Sequence, residues 1–251
     1  MKLMKKTLLD YKDKIMKLPL KDKYTKEELL VEDFLVAEDG NIKVYYAPHN
    51  DIINTRAVVF IVGITPGFQQ MNTAMAVARK ELEKGTDIEE IQSLCKRAGR
   101  FSGSLRKNII SMLDELKLNE KLDITSCSDL FGDNDYLLHT VSLIPYSVFV
   151  KGQNYSGHTP KLINCEFLMD MVKENFINEV QHLDNRDNIL IIPLGRAVED
   201  VLLKLSEDEI IKKEQILFGF PHPSGANVNR VPQFNENKEK MIEKIKEYNL
   251  L

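Results

Sequence analysis

The sequence predicts an α/β fold of three layers, in which helices cover both faces of a central, mostly parallel sheet of four strands. Two observations favour this fold. Short apolar runs rich in β-branched residues alternate along the chain with longer segments of helical spacing. Glycine and proline bound these runs, as they bound strands that are buried on both faces. Because the 251 residues contain no repeat, low-complexity segment or linker, we expect one domain, residues 1–251.

Four apolar runs are predicted to be the core strands. The first, Val58–Val62, leads directly into Gly63-Ile64-Thr65-Pro66-Gly67 (GITPG). The last, Gln215–Phe220, leads into Pro221-His222-Pro223-Ser224-Gly225 (PHPSG). Thr140–Val150 and Asn188–Leu194 are the second and third runs. Because ligands of open α/β sheets bind outside the carboxyl ends of the strands, the two loops GITPG and PHPSG form the candidate site.

The rest of the chain is predicted to be mainly helical. Residues 1–50 form an N-terminal helical extension with an amphipathic first helix, a second helix at Lys26–Phe34 and a strand at Asn41–Tyr46. Residues 72–118 form a helical insertion or lid, broken near 85–87 and 98–100, with helix starts at Thr86 and Ser102. Further helices are predicted at Pro160–Leu183, with Pro160 in the first turn, at Gly195–Leu205 and at Phe234–Tyr248.

Composition and charge exclude several classes of function. The net charge is −4, so a nucleic-acid site has to be a local positive patch. No apolar run approaches the ~20 residues that span a bilayer, and the N-terminus lacks the features of a signal peptide. Cys95, Cys127 and Cys165 are far apart and form no CxxC pair, which argues against a metal cluster. We expect a cytoplasmic monomer that binds no metal, cofactor or membrane.

The GITPG and HPSG motifs together resemble those of the uracil-DNA glycosylase superfamily, most closely its mismatch-specific and single-strand-selective branches. The order of the motifs, their separation and the strand before each carry the resemblance, which covers the chain from Val58 to about the C-terminus. It implies a DNA glycosylase that flips a non-standard base out of DNA, hydrolyses its N-glycosidic bond without a cofactor and leaves an abasic site.

The resemblance also implies roles for individual residues. His222 would donate a hydrogen bond to a base carbonyl as negative charge develops on the leaving base, and Thr65 would orient the attacking water. Backbone N–H groups of GITPG would bind the base edge or the water, and Val228 would be the wedge that probes the duplex. The implied base pocket contains Gly63, Ile64, Pro66, Gly67, Phe68 and Ser142. The implied DNA-binding residues are Ser224, Gly225, Ala226, Asn227, Val228 and Arg230.

Three positions depart from the family pattern. Thr65 stands where relatives have an Asp or Asn that handles water, Ser142 stands where an Asn reads the pyrimidine, and Gly67 stands where the classical enzymes have a Tyr that excludes C5 substituents. All three changes shrink a side chain of the pocket. We therefore expect a pocket that accepts a bulky modified pyrimidine, such as a modified cytosine of phage DNA, as an alternative to uracil. The candidates to supply the missing carboxylate from a loop are Asp51, Asp129, Asp133 and Asp135.

Two rival functions and two rival surfaces stay open at this level. The chain is alternatively a catalytically inactive protein that binds modified bases, or an α/β enzyme acting on a free nucleoside or nucleotide. A cluster of basic residues is either a DNA-facing patch or a solvated helix face; it comprises Lys96, Arg97, Arg100, Arg106 and Lys107. A polar loop either holds DNA or is plain surface; it comprises Lys151, Gln153, Asn154, Tyr155 and His158. Phe68 and Phe101 are the candidates for stacking on the base.

Overall fold

The computed structural model describes residues 5–101 and 103–250, which fall into two compact units. The first unit contains the described residues up to 53, together with 65–101 and 142–176. The second unit contains residues 54–64, 103–141 and 177–250. The GITPG motif is divided between them, since residues 63 and 64 belong to the second unit and residues 65–67 to the first.

Strands and helices alternate along the chain. In chain order the described strands are β1 (Leu35–Asp39), β2 (Ile42–Tyr45), β3 (Val59–Gly63), β4 (Leu138–Ser142), β5 (Ser147–Val150), β6 (Gln153–Asn154) and β7 (Leu190–Pro193). The described α-helices are α1 (Leu8–Met16), α2 (Lys26–Leu29), α3 (Phe68–Lys84), α4 (Ile88–Gly99), α5 (Ser104–Glu115), α6 (Leu118–Lys121), α7 (Glu166–Val172), α8 (Asn178–Gln181), α9 (Arg196–Glu207) and α10 (Arg230–Glu247).

The first unit contains an antiparallel sheet in the order β1-β2-β5-β6. A two-residue turn at residues 40–41 closes the hairpin of β1 and β2. Another, Lys151-Gly152, closes the hairpin of β5 and β6, and its φ angles are +51° at Lys151 and +75° at Gly152. Positive φ at both positions matches the twist of the strands that such a turn joins. The strand predicted at Asn41–Tyr46 is confirmed as β2. The predicted loop after β5 instead begins with the short strand β6.

The second unit contains a buried sheet in the order β4-β3-β7. Strands β3 and β7 run parallel, with Val59 paired to Leu190 and Val62 paired to Pro193. The N–H of Val58, just before β3, donates to the carbonyl of Leu137, just before β4 (3.0 Å), so the two strands begin side by side. The predicted α/β class is confirmed.

The predicted fourth strand at Gln215–Phe220 is reduced to one parallel bridge between Ile216 and Ile191. A 3₁₀ turn occupies Lys213–Gln215, and Gly219 has a φ of +87°, which is incompatible with an extended strand. The sheet of the second unit therefore has three strands rather than four. The single run predicted at Thr140–Val150 forms the end of β4 and the whole of β5, which belong to different sheets.

The helices of the predicted insertion form where expected, with one corrected start. Gly85 ends α3 in the left-handed conformation, at φ +74°. Asp87, rather than Thr86, caps α4, because its carboxylate accepts a hydrogen bond from Glu89 N–H (2.9 Å). The other predicted start, Ser102, lies outside the described residues.

The long helix predicted at Pro160–Leu183 is confirmed only over Glu166–Gln181, where a π-helical turn interrupts the α-helical pattern. The segment forms a 3₁₀ turn at Leu162–Asn164, then α7, a π-helical turn at Lys173–Ile177, and α8. Pro160 precedes all of them and does not start a helix. The predicted helices at Gly195–Leu205 and Phe234–Tyr248 are confirmed as α9 and α10. No helix within residues 5–101 and 103–250 is long and apolar enough to cross a lipid bilayer.

Candidate active site

The carboxyl ends of β3 and β7 lie side by side in the second unit. Val62 pairs with Pro193, and the N–H of Leu194 donates to the Val62 carbonyl at 2.8 Å. Gly63, the last residue of β3, and Gly195, which follows β7, therefore lie at the same edge of the sheet. Open α/β sheets bind their ligands at this edge.

Gly195 brings the PHPSG loop to that edge. Its φ is +90°, and its N–H donates to the carbonyl of Phe220 at 3.2 Å. A Cβ on residue 195 would lie 2.9 Å from the Cβ of His222 and 3.3 Å from its backbone nitrogen. Only glycine permits both this conformation and this approach. The start of GITPG and His222 thus lie at one edge, with the end of β7 between them.

His222 is arranged as a neutral hydrogen-bond donor. Its Nδ1 accepts a hydrogen bond from the Ser224 N–H (3.3 Å), so we assign the ring proton to Nε2. Although the residue is exposed, surrounding protein atoms exclude enough water to lower the pKa of His222 below its usual 6.5. At neutral pH the imidazole is therefore uncharged and presents Nε2–H as a donor.

Side chains of the second unit hold the loop after His222 in one shape. Asn227 donates from Nδ2 to the His222 carbonyl (3.1 Å), and Asn108 donates to the Pro223 carbonyl (2.7 Å). Arg230 donates from its guanidinium to the carbonyls of Pro223 (3.3 Å) and Ser224 (3.0 Å). If Arg230 also contacts a phosphate, as predicted, it has to do so while its guanidinium holds these two loop carbonyls.

The tip of this loop is exposed. Val228 is 86% exposed and is followed in α10 by Val231, which is 57% exposed. Gly225 and Ala226 are exposed as well, and Ala226 N–H donates to the Ser224 hydroxyl at 3.2 Å. An apolar side chain at the tip of a tied loop has the geometry expected of the predicted wedge.

Glu199 anchors the chain that leads into the loop, and sequence reasoning missed it. Its carboxylate is buried, accepts a hydrogen bond from Gly219 N–H (2.6 Å) and pairs with Arg196 (2.9 Å). Gly219 itself lies against Asn237, and a Cβ added to Gly219 would come within 2.6 Å of the side-chain amide of Asn237. The only sequence signal was an acidic residue in the first turn of α9, which is also a common helix feature.

The hydroxyl of Thr65, in the first unit, is committed to the backbone. It donates to the Tyr146 carbonyl and accepts from the Val148 N–H at 3.0 Å. These two bonds tie Thr65 to β5 and to the residue just before it. Because the hydroxyl proton is already donated to Tyr146, Thr65 has no proton to give. One lone pair of its oxygen remains to accept a hydrogen bond from a further donor.

The residues after Thr65 start α3 and form an apolar wall in the first unit. Phe68 is half-buried, with its ring edge-on to Phe149 at a centroid distance of 6.5 Å. Its N–H donates to Asn154 Oδ1 (3.1 Å), and Gly67 N–H donates to Gln70 Oε1 (3.1 Å). Pro66 is buried between these anchored positions in the chain. Asn154, in the predicted polar loop, is thus a cap of α3.

Ser142 is buried and contacts a residue that lies outside the predicted site, Asn50. Asn50 Nδ2 donates to the Ser142 hydroxyl (3.5 Å) and to the Pro145 carbonyl (3.2 Å). Its Oδ1 accepts from Lys96 Nζ (3.5 Å). Ser142 and Asn50 are 92 residues apart, so no local pattern could predict the contact.

Of the predicted loop carboxylates, Asp51 lies in the first unit and the other three lie in the second. Asp51 is buried in the first unit, where its carboxylate accepts from the N–H of Leu8 and the hydroxyl of Tyr46, each at 2.7 Å. Asp129, Asp133 and Asp135 precede β4. The carbonyl of Asp135 accepts from Asn54, which precedes β3, so this loop lies at the end of the sheet opposite Gly63.

Comparison with known proteins gives one finding that decides the family. The uncharacterized protein YoxB of Bacillus subtilis (strain 168) is 38% identical to this chain over 241 residues, 96% of this chain and 93% of YoxB. The chain belongs to the YoxB family. No family model matches it, and no solved structure matches it. Since the YoxB match takes in 241 of 251 residues, it includes most of the first 50, which the glycosylase motifs leave unmatched.

The other predicted surfaces of this YoxB-family chain are only partly exposed. Arg97 and Lys107 are exposed, whereas Arg100 is buried and Arg106 lies over the ring of Phe131 at 5.3 Å. The five predicted basic residues are divided between α4 in the first unit and α5 in the second, with Arg100 just after α4. Buried positions also include Tyr155 in the polar loop and Phe101, the second stacking candidate. Within the described residues, no group of three or more His, Cys, Asp or Glu side chains could hold a metal ion.

Proposed function

We propose that this chain is a DNA glycosylase that hydrolyses the N-glycosidic bond of a flipped, non-standard base and leaves an abasic site. The base is uracil or a bulky modified pyrimidine such as a modified cytosine of phage DNA, which would assign the protein to repair or to defence against phage. The proposal includes a uracil-DNA glycosylase-like fold, action as a monomer in the cytoplasm, and no metal or cofactor. The observation that carries it is the meeting of Gly63 and His222 at one edge of the second unit, across Gly195.

The neutral His222 supplies the stabilisation of the leaving base. As the N-glycosidic bond breaks, the sugar becomes cationic and the base takes negative charge on its carbonyl oxygen. The Nε2–H of a neutral imidazole can donate to that oxygen without first losing a proton to solvent. A single donor that meets developing charge in this way lowers the barrier by about 3–4 kcal/mol.

The loop after His222 supplies the grip on DNA. A glycosylase has to extrude its base, which costs a few kcal/mol of stacking and pairing. The exposed side chain of Val228 can occupy the space that the base leaves, while Gly225 and Ala226 present backbone to the phosphates. The hydrogen bonds of Asn227 and Arg230 within the loop keep this surface ordered before DNA arrives.

Water is oriented rather than deprotonated in this mechanism. Thr65 is tied to β5 and to the residue just before it and retains one lone pair, so it can accept a hydrogen bond from water but cannot remove a proton. A cationic sugar is electrophilic enough to react with neutral water that is correctly placed. We therefore propose that dissociation of the base comes before attack by water, and that turnover is slow.

A second function is favoured by the same Thr65 geometry. The Thr65 hydroxyl, which donates to the Tyr146 carbonyl, is not a group that activates water. A protein that recognises a modified base in DNA without cleaving it would need none. Formation of abasic sites separates the two functions.

The test is incubation of the purified protein with two sets of DNA, one containing uracil and one consisting of phage DNA with modified cytosines. Alkali then cleaves any abasic site. Strand cleavage in either set supports a glycosylase and identifies its base. Binding of the DNA without cleavage would select the second function. Absence of binding even at low salt, where phosphate contacts are strongest, would contradict both.

A further inference from the structure

Lysine is concentrated in one segment of the first unit. Residues 5–26 contain eight lysines and three aspartates, whereas the whole chain carries a net charge of −4. The segment comprises α1, the residues that follow it and the first residue of α2. Because the rest of the chain is correspondingly acidic, this lysine-rich segment is a local positive surface on a protein without a general positive field.

Contacts with the rest of the first unit hold the backbone of the lysine-rich segment in place. Leu8, at the start of α1, is buried, and its N–H donates to the Asp51 carboxylate at 2.7 Å. Just after α1, the Leu18 carbonyl accepts a hydrogen bond from Arg79 Nε at 2.7 Å. The exposed side chains of the segment therefore project from a fixed backbone, so little backbone order has to be gained when a partner binds.

Three lysines of the segment are available to an anionic partner. Lys12, Lys17 and Lys23 are exposed and have no hydrogen-bond or ion-pair partner among the described residues. By contrast, the ammonium group of Lys21 pairs with the carboxylate of Glu28 at 2.6 Å. A partner that binds the three exposed ammonium groups does not have to break an ion pair first.

The exposed apolar side chains nearby do not form a membrane-binding face. Leu9 and Met16, 68% and 36% exposed, lie two turns apart on α1, and Leu20, 59% exposed, follows the helix. The exposed charges of Lys12 and Asp13 lie between Leu9 and Met16. A helix that lies in a bilayer surface buries a continuous apolar face, whereas the continuous apolar face of α1 is already buried in the first unit. Phosphates of DNA require only separate ammonium groups, so the charges favour DNA over a membrane.

We infer that the lysine-rich segment is a phosphate-binding surface that holds DNA through Lys12, Lys17 and Lys23. Contacts to phosphates carry no sequence information, so this surface binds a duplex whatever its bases are. It lies before Val58, outside the part of the chain that the glycosylase motifs cover. The choice of DNA as the anionic partner rests on the proposed function, while the charge and the anchoring of the segment do not.

The test is the salt dependence of binding to a DNA duplex that contains only the four standard bases. The wild-type protein is compared with the triple variant Lys12→Gln, Lys17→Gln, Lys23→Gln. Each phosphate contact contributes about 0.9 to the slope of log affinity against log salt concentration, so we expect the slope of the variant to be smaller by about 2.7. Between about 50 and 200 mM salt, the wild-type protein should therefore lose about 40-fold more affinity than the variant.

A matched control changes the net charge by the same amount at another place. In the second unit, three exposed lysines each stand beside a glutamate in the sequence. The control is the triple variant Lys213→Gln, Lys240→Gln, Lys246→Gln. It should keep the wild-type slope, because the inference assigns the phosphate contacts to the lysine-rich segment rather than to the total charge.

A variant that strengthens binding separates phosphate contacts from a loss of folding. Asp13→Asn together with Asp22→Asn removes two exposed carboxylates from the segment. It leaves Asp10, whose carboxylate accepts a hydrogen bond from the Thr7 N–H at the start of α1 (2.8 Å). We expect this variant to bind the duplex at least about twofold more tightly than wild type at low salt, where screening of charges is weak.

The outcomes distinguish the inference from the proposed function. A wild-type slope in the lysine variant, with folding confirmed by circular dichroism, or no gain in the aspartate variant, would overturn the inference and leave any glycosylase activity standing. A reduced slope in the lysine variant, without abasic sites in any DNA, would support the surface and contradict the glycosylase. Binding of wild-type protein to phosphatidylserine vesicles but not to DNA would overturn both.

Discussion

A hydrogen is the only side chain that fits at residue 195. The positive φ there and the closeness of the His222 backbone both exclude a Cβ, and the two constraints have different consequences. Strain at a positive φ lowers stability wherever it occurs. Displacement of His222 changes the geometry of the group that we propose donates to the leaving base, and reaction rates are far more sensitive to such a change.

Gly195→Ala is therefore expected to move His222 and to lower the rate of base excision by roughly 100-fold, the effect of an ångström-scale misplacement. Gly40→Ala is the control, because Gly40 also has a positive φ (+55°) but has no atom within 4 Å of the added Cβ. Both variants should lose stability in urea unfolding, and only Gly195→Ala should lose activity. Equal activities of the two variants would contradict the role given to Gly195.

Ser147 allows a test of a buried hydroxyl that has no partner. It is fully buried on β5, and its Oγ has no hydrogen bond among the described residues. Ser147→Ala removes an unsatisfied polar group, so we expect the free energy of unfolding to stay the same or to rise by up to about 1–3 kcal/mol. A loss of more than about 1 kcal/mol in urea unfolding would show that the hydroxyl is satisfied in solution.

At the scale of elements, the turn between β2 and β3 places two titrating groups in one buried segment of the first unit. Burial lowers the pKa of His49 from 6.5 to about 3 and raises that of Asp51 from 3.8 to about 6. As pH falls from 6.5 toward 3, the unfolded chain binds a proton at His49 that the folded chain does not, so stability falls. As pH falls from 6 to 3.8, the folded chain binds the extra proton at Asp51, so stability rises.

These two effects oppose each other between pH 4 and 6, and removing one should reveal the other. In Asp51→Asn, which keeps an acceptor for Leu8 and Tyr46, we expect stability relative to wild type to fall by about 1.4 kcal/mol for each pH unit below 6. Urea unfolding at several pH values between 4 and 6 measures this difference. Parallel pH profiles for the variant and wild type would show that Asp51 titrates normally.

At the scale of the whole molecule, the sequence predicted where strands and helices form better than it predicted which elements pair or pack together. The run at Thr140–Val150 has the composition of a strand, but composition does not reveal that its two halves pair in different sheets. The helix predicted at Pro160–Leu183 has helical spacing throughout, yet it begins only at Glu166, because tertiary contacts override a weak local preference. The division of GITPG between two compact units also has no local signal.

The candidate site shows the same pattern. His222 and Gly63 were predictable because each belongs to a short motif of glycine, proline and polar residues at the end of an apolar run. Glu199 and Asn50 were missed because their roles depend on contacts with residues 20 and 92 positions away. The proposed glycosylase activity requires local contacts with DNA, since the net charge of −4 provides no general attraction.

The central claim is that His222 donates to the base as it leaves. The measurement that tests it most directly is the single-turnover rate of abasic-site formation, on whichever DNA the wild-type protein cleaves, for His222→Ala beside His182→Ala, an exposed histidine of the second unit. We predict a loss of about 10²–10³-fold in His222→Ala and none in His182→Ala. A His222→Ala rate within about threefold of the wild-type rate would contradict this role, because such a ratio corresponds to less free energy than one hydrogen bond contributes.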